Sequence, residues 1–295
     1  MQNLTTPVLF LIFNRPEPTA LVFEEIKKQQ PQSLFVAADG PRKNKPGEKE
    51  ACIQTRQLVL EAINWECDVK TFFQDENLGC GKAVSSAIDW FFENVEEGII
   101  LEDDCLPHDS FFTFCSALLK YYRNDEDVMH INGSNYQQGY KRGDGSYYFS
   151  RFAHIWGWAS WRRAWEKYDF SLQSYKGCPK NGLNLSLIRA IDSAANKKID
   201  TWDTQWFFSV WCNEGLVITP NTNLITNLGM GKTATHTKRT PSWFKKMKYG
   251  KIERISHPSK KQIDQIADKF TSDTVFTTNY LKEFIKTIYK IIIKR

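Results

Sequence analysis

Long apolar runs are missing from this chain of 295 residues. The run nearest the N-terminus, VLFLIF (8–13), has the length of a strand and falls far short of the ~20 residues that cross a membrane. The opening MQNLTTPVLFLIFNRP carries no basic leader and no small-residue cleavage site, so no signal peptide is read there. Cysteine is sparse: seven residues, an odd number, with no C-x-x-C pair and no zinc-ligand spacing. That excludes a disulfide-framed secreted fold and leads to an expectation of free, mostly buried thiols in a reducing cytoplasm. Internal repeats and low-complexity segments are also absent. A dinucleotide-binding G-x-G-x-x-G would need glycine at 84, where Val84 stands, and G-x-x-x-x-G-K-[ST] does not occur.

Charge is modest at +5 but unevenly placed. Lys232 to Lys251 carries lysines and arginines without an acid, and the end of the chain is again basic. Such patches suit an anionic small ligand or membrane surface; nucleic acid is not implied. What the sequence has in plenty is aromatic residues: 10 Trp, 11 Tyr and 20 Phe.

The first 135 residues alternate apolar runs with helical patterns. Strands are expected at VLFLIF (8–13), LFVAAD (34–39), VKTFFQ (69–74), GIILEDD (98–104) and VMHINGSN (128–135), with helices over 19–30, 47–63, 81–95 and 109–123. Continuous apolar strands joined by amphipathic helices predict a mainly parallel sheet covered on both faces, an α/β fold. The second half, from 136 to about 240, is expected to be irregular and aromatic-rich, with helices at 184–197 and 199–215 and a strand in LVITPNTNLITN. A basic loop and a C-terminal amphipathic helix (279–295) follow, the latter either packed on the domain or lying on an anionic leaflet.

In parallel sheets ligands sit beyond the carboxyl ends of the strands. Here those ends carry Asn14-Arg15, Asp39-Gly40-Pro41-Arg42, Asp75-Glu76-Asn77 and the triplet Glu102-Asp103-Asp104. Adjacent anions repel, and a surface turn does not need three of them. A hard divalent cation does want carboxylate oxygens, completed by waters and substrate phosphates; the competing reading is a solvated turn. Gly79-Cys80-Gly81 permits either a plain tight turn or a helix N-terminus, next to Lys82, that faces phosphate or ribose.

The ordered set FNRPE, AADGPR, ENLGCGKAV, GIILEDDCLP, HINGSN, IWGWASW, WDTQW and NLGMGKTATHT resembles bacterial nucleotide-sugar transferases of the GT-A fold. More specifically it is similar to those related to N-acetylglucosaminyltransferase I, a metal-dependent inverting enzyme that uses UDP-GlcNAc. The resemblance covers roughly residues 6 to 240. It implies a Rossmann-like GT-A sheet and a UDP-sugar donor contacted by Arg15, Asp39 (on the uracil), Asn77, Lys82, Glu102 and Asp103. It further implies Mn²⁺ or Mg²⁺ on Asp104, a catalytic carboxylate at Asp203, and a donor-closing loop with Lys232 and His236. The acceptor would be a glycan or lipid-linked saccharide, at the inner face of a membrane in the cytoplasm.

Several of these residues have plainer alternatives. Asp200 and Asp203 would lie on nearly one helical face, and D-T-W-D reads equally as a capping box, with Asp200 the cap and Asp203 its acidic third residue. Trp156 and Trp158 are assigned to the acceptor or donor pocket, Trp161 and Trp165 to the core. His154, alone among aromatics, is more in keeping with a hydrogen-bonded structural residue than with a ligand. Cys105 has anionic neighbours that would raise its pKa and disfavour a nucleophilic role. Two further functions are compatible with the chain: a sugar-1-phosphate nucleotidyltransferase, disfavoured because NRPEPTA lacks a glycine-rich loop, and a non-enzymatic membrane-active or sugar-binding protein. A two-carboxylate glycosidase is weaker still, since nothing fixes a pair across a cleft.

Overall fold

The computed structural model describes residues 3–230 and 241–276. Four strands, β1 (Val8–Ile12), β2 (Ser33–Ala38), β3 (Asp68–Phe73) and β4 (Glu97–Glu102), are linked by α1 (Pro16–Gln29), α2 (Glu48–Ala62) and α3 (Cys80–Asn94). They pair in parallel, β3-β2-β1-β4. After a short β5 (Cys105–Pro107) and α4 (Phe111–Tyr121), the chain adds β6 (Val128–Asn132), β7 (Tyr147–Ser150), β8 (Trp158–Trp161) and β9 (Leu216–Pro220). These extend the sheet to eight strands in the order β3-β2-β1-β4-β8-β6-β9-β7. β8 and β7 run antiparallel to their neighbours, whereas β6 and β9 pair in parallel. The fold is therefore α/β with a mainly parallel sheet flanked by helices, as the alternating pattern predicts.

Period-two alternation sorts the strand side chains into two cores. Val8, Phe10, Ile12, Val36 and Leu101 pack against α1, α2 and α4; Leu9, Leu11, Phe35 and Ile100 face α3, α5 (Arg162–Trp165) and α7 (Asp203–Cys212). A third cluster joins α6 (Leu185–Ala195) to α7 through Leu187, Ile191, Phe207 and Phe208. β3 is an edge strand, half exposed and carrying Asp68 and Lys70, charges that discourage pairing with another chain. α1 starts with Pro16, whose missing N–H would be unpaired in a first turn anyway.

The second half is more regular than its sequence indicates. YYFS and WASW enter the central sheet as β7 and β8, and LVITPNTNLITN divides between β9 and β10 (Ile225–Asn227), the latter paired with β5 in a separate two-stranded sheet. The expectation of uniformly free thiols is corrected: Cys178 and Cys212 form a disulfide, while Cys52, Cys67, Cys80, Cys105 and Cys115 are free. Among the described residues no helix is long and apolar enough to cross a membrane. The C-terminal segment 279–295 and the loop bearing Lys232 and His236 lie outside the described residues.

Candidate functional site

The strand ends of β1, β2 and β4 converge at one rim. Ile100 belongs to the core on the α3/α7 side, so Glu102, two residues on, points to that same side, and Asp103 turns to the side of α1. Arg15, immediately before α1, forks onto the acids: Nη1 donates to Asp104 Oδ2 at 3.0 Å, Nε to Asp103 Oδ2 at 3.4 Å, and Nη2 to Asp103 Oδ1. Such planar two-toothed pairing is what a guanidinium provides and an ammonium does not. Burial opposes the charge on Arg15, but Asp103 and Asp104 outweigh it and raise its pKa. Burial pushes Asp103 up to about 6; Arg15 pulls it down and Asp104 pushes it further up.

Glu102 is the least satisfied member. Its Oε1 is sealed from solvent with no hydrogen-bond partner. Burial raises its pKa well above the usual carboxylate range, and the charges of Asp104, Asp103 and Asp203 add to that rise. Asp103 and Asp104 thus share one guanidinium, and Glu102 feels it only through space. A buried carboxylate oxygen without a donor is costly, and a cation removes the cost. The donor set is all oxygen, the type a hard divalent cation such as Mn²⁺ or Mg²⁺ takes, and Asp104 and Glu102 would be the residues to hold one. Among the described residues no three His, Cys, Asp or Glu side chains converge as a metal cage. Behind Asp104, Gly229 leaves the space its carboxylate occupies: a Cβ there would collide with Oδ2. Leu228 N–H also donates to the Asp104 carbonyl at 2.7 Å.

Asp203 is the first residue of α7, with Trp202 at the cap position, so the capping-box reading of D-T-W-D does not hold. Asp203 Oδ1 accepts from Thr204 N at 2.6 Å and from the Thr201 hydroxyl. Oδ2 has no hydrogen-bond partner among the described residues. Trp202, Trp206 and Phe207, the apolar neighbours expected from sequence, are buried beside it.

Asp200 has a different task. Its carboxylate accepts from Cys80 N at 2.9 Å and Gly81 N at 2.8 Å, capping α3 from across the fold. The expectation that this helix N-terminus faces phosphate or ribose is corrected: its anion is Asp200. The glycines make the approach possible, because a Cβ on Gly79 or Gly81 would lie 2.5 or 2.7 Å from the Asp200 oxygens. Cys80, among these acids, has its thiol pushed up to about 12 by burial and by the charges of Glu102, Asp200, Asp203 and Asp39.

Asp39 is equally committed. Oδ1 accepts from Gly40 N and Leu78 N, Oδ2 from Asn77 Nδ2 and Gly79 N, at 2.7–3.2 Å. These four bonds use the lone pairs a carboxylate has, so Asp39 and Asn77 position the loop after β3, and no lone pair is left for uracil. Burial raises the Asp39 pKa against the pull of the three N–H groups. Arg56, which the sequence reading did not single out, clamps the same corner by donating to the carbonyls of Asp39 (3.0 Å) and Gln74 (2.7 Å). Lys82 is exposed and forms no ion pair among the described residues. A neighbouring cluster was also missed: Glu48, at the start of α2, accepts from Asn14 Nδ2 at 2.9 Å and Arg42 N at 2.7 Å, and the Arg42 guanidinium lowers its pKa to about 2. All three side chains belong to the same rim.

The two tryptophans assigned to a sugar pocket part company. Trp158 is fully buried, stacked on His130 and Trp202 at 4.9 and 5.8 Å between ring centres; it is core, and its acceptor role is corrected. Its position at the start of β8, between β4 and β6, sends its ring inward. Trp156, before the strand, is partly exposed and stacks on Trp243 (5.9 Å), with Tyr136 edge-on to both. Trp161 and Trp165 are buried, as expected. His154 is also buried: its N–H donates to Asn132 Oδ1 at 2.7 Å and its carbonyl accepts from His130 Nε2 at 3.0 Å, a structural role. Cys105 is sealed beside Asp104, and burial raises its pKa strongly.

No protein-family model matches this sequence, and no curated protein matches it. Among solved structures it is similar to S. aureus TarS 1-349, with TM-score 0.45 and 11% identity, covering 76% of this chain and 61% of that one. It is also similar to mouse xyloside xylosyltransferase 1 in its apo form (TM-score 0.38, 10% identity, 70% and 81% coverage) and to UDP-glucose pyrophosphorylase complexed with UDP-glucose (0.39, 10%, 73% and 90%). Likenesses of this size concern backbone layout, and the reading of the site rests on its own residues.

Proposed function

We propose that the chain is a metal-dependent GT-A-type glycosyltransferase that moves a sugar from a UDP-sugar to a glycan or lipid-linked acceptor with inversion. The observation that carries the reading is the rim itself: Asp103 and Asp104 gripped by Arg15, next to a buried, unpartnered Glu102 oxygen on which the charge of Asp203 acts. The choice of GlcNAc as the sugar rests on the sequence resemblance alone. A divalent cation on Asp104 and Glu102 would neutralise the charge that develops on the departing diphosphate. Arg15 holds Asp104, together with Asp103, in place. Asp203, through Oδ2, takes the proton of the acceptor hydroxyl as its oxygen bonds to the anomeric carbon and the bond to the β-phosphate oxygen breaks, releasing UDP. Contact with a membrane would fall to the basic, apolar segment 279–295.

Titration calorimetry of UDP with and without Mn²⁺ tests this. Binding is expected to need the metal and to fall about a hundredfold, ~2.7 kcal/mol, in Asp104→Asn. Equal, metal-independent UDP affinity in both proteins would overturn it. Release of pyrophosphate from UTP and a sugar 1-phosphate would reassign the chain to nucleotidyl transfer.

A further inference from the structure

Four asparagines are buried among the described residues: Asn132, Asn135, Asn223 and Asn227. Three of them use both ends of the amide. Asn132 donates to the Phe152 carbonyl and accepts from His154 N, and Asn135 donates to the Pro220 carbonyl and accepts from Gln137 N. Asn223 donates to the Ile225 carbonyl and accepts from Asn135 N. Asn227, 8% exposed, has no side-chain hydrogen bond among the described residues. A buried amide in that state costs free energy unless something from outside the chain completes it.

Strand pairing decides what Asn227 faces. β10 runs antiparallel to β5, with Ile225 opposite Pro107 and Asn227 opposite Cys105. Alternation puts Asn227 on the same face as Ile225, and both Ile225 and Cys105 belong to the core, so an amide ends an otherwise apolar row. The next residue, Leu228, donates its N–H to the Asp104 carbonyl at 2.7 Å, and the chain turns at Gly229 past the Asp104 carboxylate. A Cβ built on Gly229 would collide with Asp104 Oδ2 and stand 3.2 Å from Asn227 Oδ1. The amide oxygen and the carboxylate oxygen thus border one small space that glycine keeps open. Asp104 Oδ2 accepts from Arg15 and retains a second lone pair.

We infer that Asn227 Oδ1 is a further protein ligand, with Asp104 and Glu102, for the divalent cation of the diphosphate site. The inference deepens the transferase reading and rests on it. An amide oxygen is a hard donor of the kind such cations take, and it brings no charge. Glu102, Asp103 and Asp104 are adjacent and the charge of Asp203 already acts on Glu102, so a neutral donor adds coordination without adding repulsion.

The test is Mn²⁺ binding to the full chain in the presence of UDP, followed by the spin-resonance signal of the free ion, beside thermal denaturation of the metal-free protein. Asn227→Ala is expected to weaken Mn²⁺ binding about tenfold. Without metal it should melt no lower than the unsubstituted chain, because removing an unbonded buried amide leaves no group unsatisfied. Asn227→Asp keeps the oxygen and adds a charge. It should lower the metal-free midpoint by repulsion from Asp104, bind Mn²⁺ at least as tightly, and gain more in midpoint from Mn²⁺ than the unsubstituted chain does. Unchanged Mn²⁺ affinity in Asn227→Ala overturns the inference; should that variant fail to fold, weaker Mn²⁺ binding in Asn227→Asp overturns it instead. The unsubstituted chain separates the two failures: without Mn²⁺–UDP binding there, the transferase reading falls as well, whereas intact binding with an unaffected Asn227→Ala sinks the role of Asn227 alone.

Discussion

The two halves of the central sheet solve the same packing problem with opposite chemistry. β2, β1 and β4 are apolar strands, edged by the half-exposed β3, and the carboxyl ends of the three carry charge: Asp39, Arg15, Glu102, Asp103 and Asp104. β8, β6, β9 and β7 are filled with rings, Trp158, His130, Tyr147 and Phe149, and their polar contacts are neutral amides and hydroxyls, such as Asn132 Nδ2 to Thr219 Oγ1 at 2.9 Å. In the ring-rich half the polar contacts brace the fold. On the charged rim Asp39 is saturated, whereas Glu102 Oε1 is buried with no hydrogen-bond partner, the one carboxylate oxygen among the described residues in that state.

The sharpest way to break this contrast is Asp203→Asn. The amide keeps the size of the side chain and an acceptor for Thr204 N–H but cannot take a proton. Turnover is expected to fall by about 10²–10⁴, the usual worth of a general base, with UDP–Mn²⁺ affinity nearly unchanged. Single-turnover rates beside calorimetric affinities decide it; retained turnover would remove Asp203 from the chemistry.

The ring-rich half should answer the reverse test. Trp158→Ala, in a fully buried stack, is expected to cost about 3–5 kcal/mol of stability, read as a fall in the denaturation midpoint. Trp156→Ala, on a partly exposed ring, leaves stability within about 1 kcal/mol and raises the acceptor KM. If the two variants exchanged phenotypes, the division between core and pocket drawn here would be reversed.

A smaller effect comes from acid. Trp206 Nε1 can only donate, so His130 Nδ1 accepts from it at 3.0 Å and the single ring N–H, on Nε2, donates to the His154 carbonyl. Burial lowers the His130 pKa to about 4, and burial together with His130 lowers His154 to about 3. A depressed histidine pKa means the unfolded chain binds the proton first. Stability is full above about pH 6.5 and declines as pH falls toward 4, by on the order of 2–3 kcal/mol for His130. Chemical denaturation at pH 7.5, 5.5 and 4.5 measures this, and His130→Gln should flatten the acid limb.

What could be read in advance follows the same divide. β1 and β2 were legible because continuous apolar runs of five or six residues have few other uses, and β4 from the shorter run GIIL ahead of its acids; β3, DVKTFF, has no such run. The acidic triplet stood out because adjacent anions are costly, and the parallel pattern put Arg15 on the same rim. β7 and β8 were not legible: YYFS and WASW are four residues each, show no alternation, and are recruited by the sheet edge, not by their own pattern. The Cys178–Cys212 disulfide joins residues 34 apart with no motif to announce it. Trp156 and Trp158 differ by two positions, and only the register of β8 against β4 and β6 tells which of them is buried.

Asp200 is the finest test of the comparison, since its local sequence made it a rival to Asp203. A helix cap given by a residue about 120 positions away leaves no trace in local pattern; only the paired approach of Gly79 and Gly81 explains why glycine flanks Cys80. Asp200→Ala strips two N–H groups of their acceptor and removes a negative charge from the positive end of α3. It is expected to cost about 1–2 kcal/mol of stability. Turnover should fall only as far as the loop around Cys80 loosens, far less than in Asp203→Asn. Asp200→Asn, which keeps an oxygen for one of the two N–H groups, should recover part of the lost stability. Equal collapse of turnover in the Asp200 and Asp203 variants, with stability untouched, would make Asp200 a participant in the reaction and return the charged half of the rim to an unassigned cluster of acids.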